Sequence, residues 1–268
     1  MRIAVIQMAV VEGDKTATIE KACARIRECR HADLIVLPEL WNIGFMSFDR
    51  YHAAAEDRDG PTLTAMIAMA REMKAYLHSG SFVEKAGGAY YNSSYLIAPD
   101  GALLANYRKI HLFGYQSLEN RLLSPGERVV VVDTPLGRIG MATCFDLRFP
   151  ELFRRMVEKG AEIFLVCSAW PYPRLEHWLL LNRVRAIENQ CYLIAANMTG
   201  CNQGERFVGH SMLVDPWGTV LAGGGDREII LTDDVQRSVL IDARHEFPCL
   251  ASRREWLTAM ESRPDHQG

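Results

Sequence analysis

The sequence predicts an α/β fold, in which strands form the core and helices cover it. Short apolar runs typical of buried strands alternate with amphipathic segments of helical period in both halves of the chain. Between them, turns that contain glycine or proline separate further strand-like runs, as in β-hairpins. No proline- or serine-rich linker and no internal repeat divides the 268 residues. We therefore expect one domain over residues 1–268, with a core over about residues 1–242 and a tail over 243–268.

The first part of the chain begins with a strand and an amphipathic helix. The helix is predicted because apolar residues recur at helical spacing between positions 19 and 26, and Asp14 is placed to cap its first turn. Pro61 starts a second helix. The turns Gly87-Gly88 and Pro99-Asp100-Gly101 join three further strands as hairpins. The predicted strands are 2–8, 33–37, 79–84, 90–98 and 102–107, and the first helix is 14–29.

The second part of the chain repeats the alternation of strand and helix. Pro150 is predicted to start a helix, because an apolar stripe that includes Leu152 and Met156 follows it. The turn Asp215-Pro216-Trp217-Gly218 separates two late strands. The predicted helices are 150–159 and about 175–189, and the predicted strands are 129–132, 138–142, 163–167, 192–197, 210–214, 219–222, 228–231 and 238–241.

Composition and charge exclude several classes of function. Apolar residues make up 49% of the chain, enough for a substantial core. The net charge of −3 and the pI near 6.3 give no electrostatic basis for binding nucleic acid or an anionic membrane. The apolar run at the N-terminus is too short for a signal peptide, and no run has the length of a membrane span. The seven cysteines are expected to be reduced thiols of a cytoplasmic protein.

Three residues with reactive side chains follow strands. Glu39 comes after the buried run 34–37, Lys109 after the strand 102–107, and Cys144 after the strand 138–142, just before the helix at Pro150. The carboxyl ends of strands are where α/β proteins place reactive groups. A nearby lysine and a helix N-terminus are expected to favour the thiolate of Cys144. Taken singly, each residue is ordinary: a small apolar thiol, or a solvated charge.

The motifs around these three residues carry a family resemblance. LPEL at 37–40, YRKIHLF at 107–113 and CFDLRFPEL at 144–152 resemble, in this order, the motifs of the nitrilase, or carbon–nitrogen hydrolase, superfamily. The resemblance extends from residue 3 to residue 242. It implies a four-layer α-β-β-α sandwich with Cys144 as nucleophile, Glu39 as general base and acid, and Lys109 as electrostatic stabiliser. It also implies that the backbone N–H of Phe145 is a second donor to the oxyanion.

Other polar residues near the motifs have two interpretations each. Glu119, in the segment 117–121, matches a second active-site glutamate that many members carry; otherwise it is an exposed loop carboxylate. Arg148 is expected to form a buried ion pair beside the nucleophile, although it could instead bind a substrate carboxylate. Asp146 and His111 are interpreted as structural, because no signature of a Cys–His protease surrounds Cys144.

The segment 168–178, SAWPYPRLEHW, is similar to that of bacterial ω-amidase-like members, which hydrolyse the side-chain amide of 2-oxo acids. The similarity implies that Trp170 and Phe145 line a small pocket. Arg174 then either faces a substrate carboxylate or begins an exposed helix and meets only water, and the sequence favours neither.

The leading hypothesis is a thiol amidase for small linear amides, and in particular an ω-amidase. It needs no cofactor, and the absence of CxxC and HExxH patterns gives no support for a metal site. The alternatives are an N-carbamoyl amine or amino acid hydrolase, a nitrile hydrolase, which the resemblance favours less, and a non-catalytic binding protein of the same fold. The family also implies a homodimer or larger assembly, formed through the helices 150–159 and 175–189.

Overall fold

The computed structural model describes residues 1–254, in which most of the predicted strands and helices are present. The strands are β1 (Arg2–Gln7), β2 (Leu34–Val36), β3 (Tyr76–Ala86), β4 (Ala89–Ile97), β5 (Leu103–Arg108), β6 (Val131–Thr134), β7 (Gly137–Thr143), β8 (Ile163–Ser168), β9 (Tyr192–Asn197), β10 (Cys201–Asn202), β11 (Glu205–Arg206), β12 (Met212–Val214), β13 (Val220–Gly223) and β14 (Ile229–Asp234). The α-helices are α1 (Lys15–Glu28), α2 (Tyr51–Ala54), α3 (Pro61–Met73), α4 (Glu119–Leu122), α5 (Pro150–Glu158), α6 (Leu175–Asn189) and α7 (Arg237–Glu246), and 3₁₀ turns span Phe48–Arg50 and Cys144–Arg148.

Twelve of these strands build two six-stranded sheets with the same plan. The first sheet has the order β14-β1-β2-β3-β4-β5, and the second has the order β13-β12-β9-β8-β7-β6. Three parallel strands form the centre of each sheet, β1 to β3 in the first and β7 to β9 in the second, and antiparallel strands flank them. Parallel strands end at a common edge, so residues that follow them are brought together.

The two sheets pack face to face, and helices cover their outer faces. The inner core joins residues of both sheets, such as Val5 and Val36 of the first with Met141 and Leu165 of the second. The outer face of the first sheet packs against α1 and α3, and that of the second against α5 and α6. These layers are the predicted α-β-β-α sandwich. Because the central strands are covered on both sides, their sequences are continuous apolar runs.

The prediction of a strand at 238–241 is wrong, because these residues belong to α7. The run Val239-Leu240-Ile241 has high strand propensity, but tertiary contacts decide in favour of the helix. Helical spacing lets Leu240 and Ala243 face the core while Ile241 stays 53% exposed. The helix also takes in residues 243–246 of the predicted tail, and residues 255–268 of that tail lie outside the described part of the chain.

A bulge in β3 holds the segment that follows β2. At Gly80 the backbone has a φ of +63°, and a Cβ there would lie 2.2 Å from the carbonyl oxygen of Pro38. This close approach lets the Ser81 N–H donate to the Pro38 carbonyl at 3.0 Å, while Ser81 Oγ accepts from Leu40 N–H at 3.0 Å. The indole of Trp41 donates to the Ser79 carbonyl at 2.8 Å. The backbone on either side of residue 39 is therefore fixed by β3.

We expect Gly80→Ala to destabilise the protein more than the matched control Gly87→Ala. Both glycines have a positive φ, which strains any other residue by about 1–3 kcal/mol. A Cβ at Gly87 meets no atom within 4 Å, whereas one at Gly80 meets backbone. Urea unfolding should therefore show a further loss of about 1–3 kcal/mol for Gly80→Ala, the usual cost of overpacking. Equal losses for the two variants would show that the close approach at Gly80 does not constrain the fold.

Candidate active site

The structure brings together four side chains that the sequence singled out. Glu39 follows β2, Lys109 follows β5, Glu119 begins α4, and Cys144 follows β7. Lys109 Nζ lies 2.8 Å from Glu39 Oε1 and 2.9 Å from Glu119 Oε2. Glu39, Lys109 and Glu119 have no exposed surface, and Cys144 is 6% exposed. Residues that lie far apart in the chain thus form one buried cluster of charges beside a thiol.

Glu39 is held by contacts from both sheets. Its Oε2 accepts from the Ala169 N–H at 2.8 Å, and its own N–H donates to the Ser168 carbonyl at 3.3 Å, both at the end of β8. Its Oε1 accepts from Lys109 and, at 2.8 Å, from the side-chain amide of Asn92 on β4. The carboxylate therefore has a fixed orientation, with one oxygen on the lysine and the other near the second sheet.

Glu119 is a buried partner of Lys109, so its interpretation as an exposed loop carboxylate is wrong. Lys109 Nζ donates to both of its oxygens, at 3.0 and 2.9 Å. The Phe113 N–H donates to Oε2 at 2.7 Å, and the Asn92 amide, which also contacts Glu39, donates to Oε1 at 2.8 Å. Asn92 was not among the predicted site residues, because an asparagine inside a hairpin strand carries no distinctive pattern.

The charges in this cluster shift one another's protonation. Burial, and then the charge of Glu39, raise the pKa of Glu119, although Lys109 acts in the opposite direction. Burial alone would lower the pKa of Lys109, but Glu119 and Glu39 raise it well above its ordinary value. Lys109 is therefore an ammonium ion, and it contacts the carboxyl groups of both Glu39 and Glu119.

Cys144 occupies a strained position at the end of β7. Its φ of +47° lies in the left-handed region, which residues other than glycine rarely adopt. The turn that follows is held by Asp146, whose carboxylate accepts from the Thr143 N–H at 2.8 Å and from the Tyr107 hydroxyl at 2.6 Å. The Asp146 carboxylate also accepts from the His111 N–H at 3.0 Å and lies 2.7 Å from His111 Nδ1. Asp146 and His111 thus support the turn that presents the thiol.

Lys109 favours the thiolate of Cys144, as the sequence predicts, but the other surroundings of the thiol outweigh it. Burial, and then the charge of Glu39, raise the pKa of this thiol well above its ordinary value, while Lys109 lowers it by less. The positive charge of Lys109 is already balanced by two carboxyl groups, and α5 begins only at Pro150. The thiol is therefore protonated at rest, beside a carboxylate that can accept its proton.

Ser168 is a second neighbour of the thiol that the sequence did not indicate. Its side chain is fully buried at the end of β8, and its Oγ has no well-aligned hydrogen-bond partner among the described residues. The hydroxyl faces Cys144 and acts to lower the pKa of the thiol. Parallel pairing of β7 with β8 explains the contact, because it places Cys167 opposite Thr143. A serine in a buried strand has no signal in the sequence that separates it from others.

A narrow pocket of about 290 Å³, including its open mouth, leads to Cys144. Phe145 and Trp170 both line it, at the positions that the sequence analysis assigned to them. Its lining is mostly aromatic and apolar, with two guanidinium groups, and consists of Phe45, Phe113, Cys144, Phe145, Arg148, Ala169, Trp170, Pro171 and Arg174. Such a pocket suits a short molecule with an apolar middle and a polar end.

Arg174 and Arg148 both face this pocket. Arg174 precedes α6 and is half-buried, with its guanidinium carbon 5.6 Å from the centroid of the Phe113 ring. The expectation of a buried ion pair for Arg148 is wrong, because no carboxylate within residues 1–254 pairs with it and Asp146 turns toward the other side of its turn. Instead, its guanidinium lies 4.9 Å from the centroid of the Trp170 ring.

Within the part of the chain that the structure describes, no cluster of three or more His, Cys, Asp or Glu side chains is placed to bind a metal ion. All seven cysteines are free thiols. None of the helices among residues 1–254 combines the length and the apolar character that crossing a bilayer requires.

Sequence comparison gives the class of protein that this fold and cluster define. The sequence profile of the carbon–nitrogen hydrolase family matches residues 2–245. The chain belongs to this family, and the predicted superfamily and enzyme class, a hydrolase of carbon–nitrogen bonds, are confirmed.

Several relatives match over nearly their whole length. A 2-oxoglutaramate amidase of Paenarthrobacter nicotinovorans is 38% identical over 256 residues, covering 91% of this chain and 87% of the relative. A 2-oxoglutaramate amidase of Bacillus subtilis is 35% identical over 248 residues, covering 92% and 95%. The human ω-amidase NIT2 is 35% identical over 272 residues, covering 97% of each.

Solved structures show the same fold. The carbon–nitrogen hydrolase superfamily protein XC1258 of Xanthomonas campestris, which carries an arsenic adduct in its active site, superimposes with a TM-score of 0.89 at 28% identity over 95% of this chain and 97% of the other. Nit3 of Saccharomyces cerevisiae, of branch 10 of the nitrilase superfamily, gives 0.87 at 30% identity over 95% and 96%. The predicted four-layer sandwich is therefore confirmed.

The raised pKa of Cys144 predicts how the thiol reacts with iodoacetamide. Because the thiolate is the reactive form, alkylation of Cys144 should be slow at neutral pH and still rising above about pH 9. Glu39→Gln removes the charge that helps to raise the pKa, so its profile should move to lower pH. Peptide mass spectrometry would follow Cys144, with the exposed Cys201 as a reference for the reagent. A wild-type plateau below pH 8, or an unmoved profile in Glu39→Gln, contradicts this account.

Proposed function

We propose that this protein is an ω-amidase. It hydrolyses the side-chain amide of a short 2-oxo acid, such as 2-oxoglutaramate or 2-oxosuccinamate, to the acid and ammonia. The observation that carries the proposal is the buried cluster of Glu39, Lys109 and Glu119 beside Cys144, at the end of a pocket that two guanidinium groups border. The relatives named 2-oxoglutaramate amidase and ω-amidase support the same activity.

In the first half of the reaction, Glu39 takes the proton of the Cys144 thiol and the sulfur attacks the amide carbon. The oxygen of the tetrahedral intermediate carries the negative charge, which Lys109 and the backbone N–H of Phe145 stabilise. Glu39 then gives the proton to the departing nitrogen, and ammonia leaves. The carbonyl carbon remains bound to Cys144 as a thioester. A thiol that is protonated at rest fits this sequence, because the proton it loses is the one that the leaving group needs.

In the second half, water replaces ammonia. Glu39 removes a proton from the water as the oxygen attacks the thioester, and the same oxyanion contacts stabilise the second tetrahedral intermediate. Its collapse breaks the carbon–sulfur bond and returns the proton to Cys144. The overall change is amide plus water to carboxylic acid plus ammonia, with no oxidation or reduction and no cofactor.

Glu119 has a supporting role in this mechanism. Its two contacts with Lys109 fix the ammonium group, and its hydrogen bonds with the Phe113 N–H and the Asn92 amide fix the carboxylate in turn. Without Glu119, one buried cation would face Glu39 alone and move toward it. Glu119 thereby keeps Lys109 available for the oxyanion.

Arg174 is proposed to bind the carboxylate at the far end of the substrate. A guanidinium can hold a carboxylate through two parallel hydrogen bonds, and this one has no ion pair within residues 1–254. Phe145 and Trp170 then enclose the apolar carbons between the two polar ends of the substrate. Two carbons separate the carboxylate from the amide group in 2-oxosuccinamate and three do so in 2-oxoglutaramate, a length that suits the small pocket.

Two other functions remain as alternatives. An N-carbamoyl amine or amino acid hydrolase would use the same four residues and release carbon dioxide as well as ammonia, but the names of the relatives favour the amidase. A non-catalytic binding protein of this fold would have no need for a buried lysine shared by two carboxyl groups, which is costly to bury.

We expect Cys144→Ala to fold normally and to lose essentially all hydrolysis. Ammonia release should be measured with 2-oxosuccinamate, butanamide, an aromatic amide and an N-carbamoyl amino acid, and intact-mass spectrometry of the wild type should show an acyl adduct on Cys144. Turnover by folded Cys144→Ala would exclude this nucleophile. A carbamoyl compound that outperforms the ω-amides would favour the alternative hydrolase, and no turnover of any compound would favour the binding protein.

We further propose that the protein is a cytoplasmic homodimer. Free cysteines throughout the chain are typical of a reducing compartment. The apolar residues of α5 and α6 that were expected at the contact are Phe153, Met156, Trp178 and Leu179. The first three are fully buried in their own chain, and Leu179 is partly buried. An exposed apolar patch on α6 and beside it is formed by Leu180, Val184, Ile187, Trp217 and Phe247.

We expect Val184→Glu to convert the dimer to a monomer. A charge in the middle of the exposed stripe of α6 would have to be buried without a partner in the dimer. Leu104→Glu is the matched control, because Leu104 has similar exposure but lies on β5, away from α6. Light scattering at micromolar concentration should show half the mass for Val184→Glu only. A monomeric wild type, or a dimeric Val184→Glu, would contradict this arrangement.

A further inference from the structure

Two guanidinium groups border one small pocket, and no carboxylate among residues 1–254 neutralises either of them. Arg148 and Arg174 both line the pocket that leads to Cys144. Within residues 1–254, neither side chain forms an ion pair with a carboxylate. Most arginines that are partly buried have such a partner, because an unpaired charge near apolar surface is costly.

The proximity of the two cations adds to this cost. Both guanidinium groups line the same pocket, and partial burial, together with the positive charge of Arg174, lowers the pKa of Arg148. A bound anion or a cluster of oxygen atoms would relieve both effects.

Aromatic rings hold both guanidinium groups without using their hydrogen-bond donors. The guanidinium carbon of Arg148 lies 4.9 Å from the centroid of the Trp170 ring and 5.9 Å from that of Phe145. That of Arg174 lies 5.6 Å from the centroid of the Phe113 ring. A guanidinium that contacts ring faces keeps the N–H groups at its edge free for a ligand.

One contact fixes Arg148 further. Its Nη2 lies 3.1 Å from Nδ1 of the exposed His177, on the first turn of α6. This nitrogen accepts from the arginine when His177 is neutral with its proton on Nε2. The remaining donors of Arg148 stay available on the side of the pocket, while its position is set by His177 and Trp170.

We infer that Arg148 binds the 2-oxo oxygen of the substrate, while Arg174 binds the adjacent carboxylate. This inference rests on the proposed ω-amidase function. It identifies the contact by which the site distinguishes 2-oxo acids from acids without the 2-oxo group. The end of a 2-oxo acid presents three acceptor oxygens, and one guanidinium edge offers two parallel donors, so a second cation is needed for the third oxygen.

Arg148 is assigned to the 2-oxo oxygen and Arg174 to the carboxylate because of their distances from the reacting carbon. The 2-oxo carbon lies one bond nearer to the amide than the carboxylate carbon does. Arg148 belongs to the same 3₁₀ turn as Cys144, whereas Arg174 lies on the loop before α6. Arg148 is therefore the cation nearer to the reacting carbon.

The test compares 2-oxosuccinamate with succinamate, which differ only in the 2-oxo group. We expect Arg148→Gln to reduce the ratio of their kcat/KM values about tenfold to hundredfold, the usual effect of losing a hydrogen bond to a charged donor. Arg174→Gln should weaken both acids relative to butanamide and change the ratio little. Arg155→Gln, an exposed arginine of α5, is the matched control and should leave all three substrates unchanged.

A binding measurement separates this inference from the proposed reaction. Titration calorimetry of the folded Cys144→Ala protein should give a lower Kd for 2-oxosuccinamate than for succinamate, and the additional change Arg148→Gln should remove the difference. If Arg148→Gln reduces the turnover of all substrates equally, Arg148 has a structural role and the inference is wrong. It is also wrong if Cys144→Ala does not discriminate between the two acids. Discrimination in binding without turnover by the wild type would reject the proposed reaction and retain the assignment of Arg148.

Discussion

The buried contact of the Lys109 ammonium with two carboxyl groups is the interaction on which the site depends. Burying an ammonium ion without a partner is so unfavourable that the group would instead lose its proton or stay at the protein surface. Glu39 and Glu119 make burial tolerable, and the three groups then fix one another through distances of 2.8 to 3.0 Å. Removing Lys109 would leave two carboxyl groups in the core without a cation, which is far more costly than losing a contact at the surface. The cluster is thus a structural element as well as a source of chemistry.

The same contact explains why Cys144 is held as a thiol. Many reactive cysteines lie beside an uncompensated cation and are thiolates at rest. Here the cation is shared, and Cys144 lies in a buried position where Glu39 raises its pKa further. In the proposed mechanism, proton transfer to Glu39 is therefore coupled to attack of the sulfur on the substrate. A buried thiol of this kind is also protected from oxidants that react with thiolates.

A site residue could be predicted where it lies in a local sequence pattern, and could not be predicted where packing alone places it. Cys144 could be assigned because it follows an apolar strand and precedes a helix, and the carboxyl ends of parallel strands meet at one edge. The burial of Glu119 and the bridging amide of Asn92 depend on how a hairpin and a loop pack, and periodicity does not encode that. Arg148 was expected to pair with an acid in its own motif, but Asp146 is fully used by the turn. The strand predicted at 238–241 was wrong for a related reason. Its apolar residues have high strand propensity, but packing against the core places them in a helix.

The two sheets contribute different parts of the site. Glu39, Asn92 and Lys109 belong to the first sheet or follow its strands, whereas Cys144 and the Ala169 N–H that orients Glu39 follow strands of the second. The distance between sulfur and carboxylate is consequently a measure of how the two sheets are aligned across the inner core. A shift of one sheet along the other would separate Glu39 from Cys144, the base and the nucleophile of the proposed mechanism. The apolar side chains between the sheets therefore set the geometry of the candidate site, although they lie outside it.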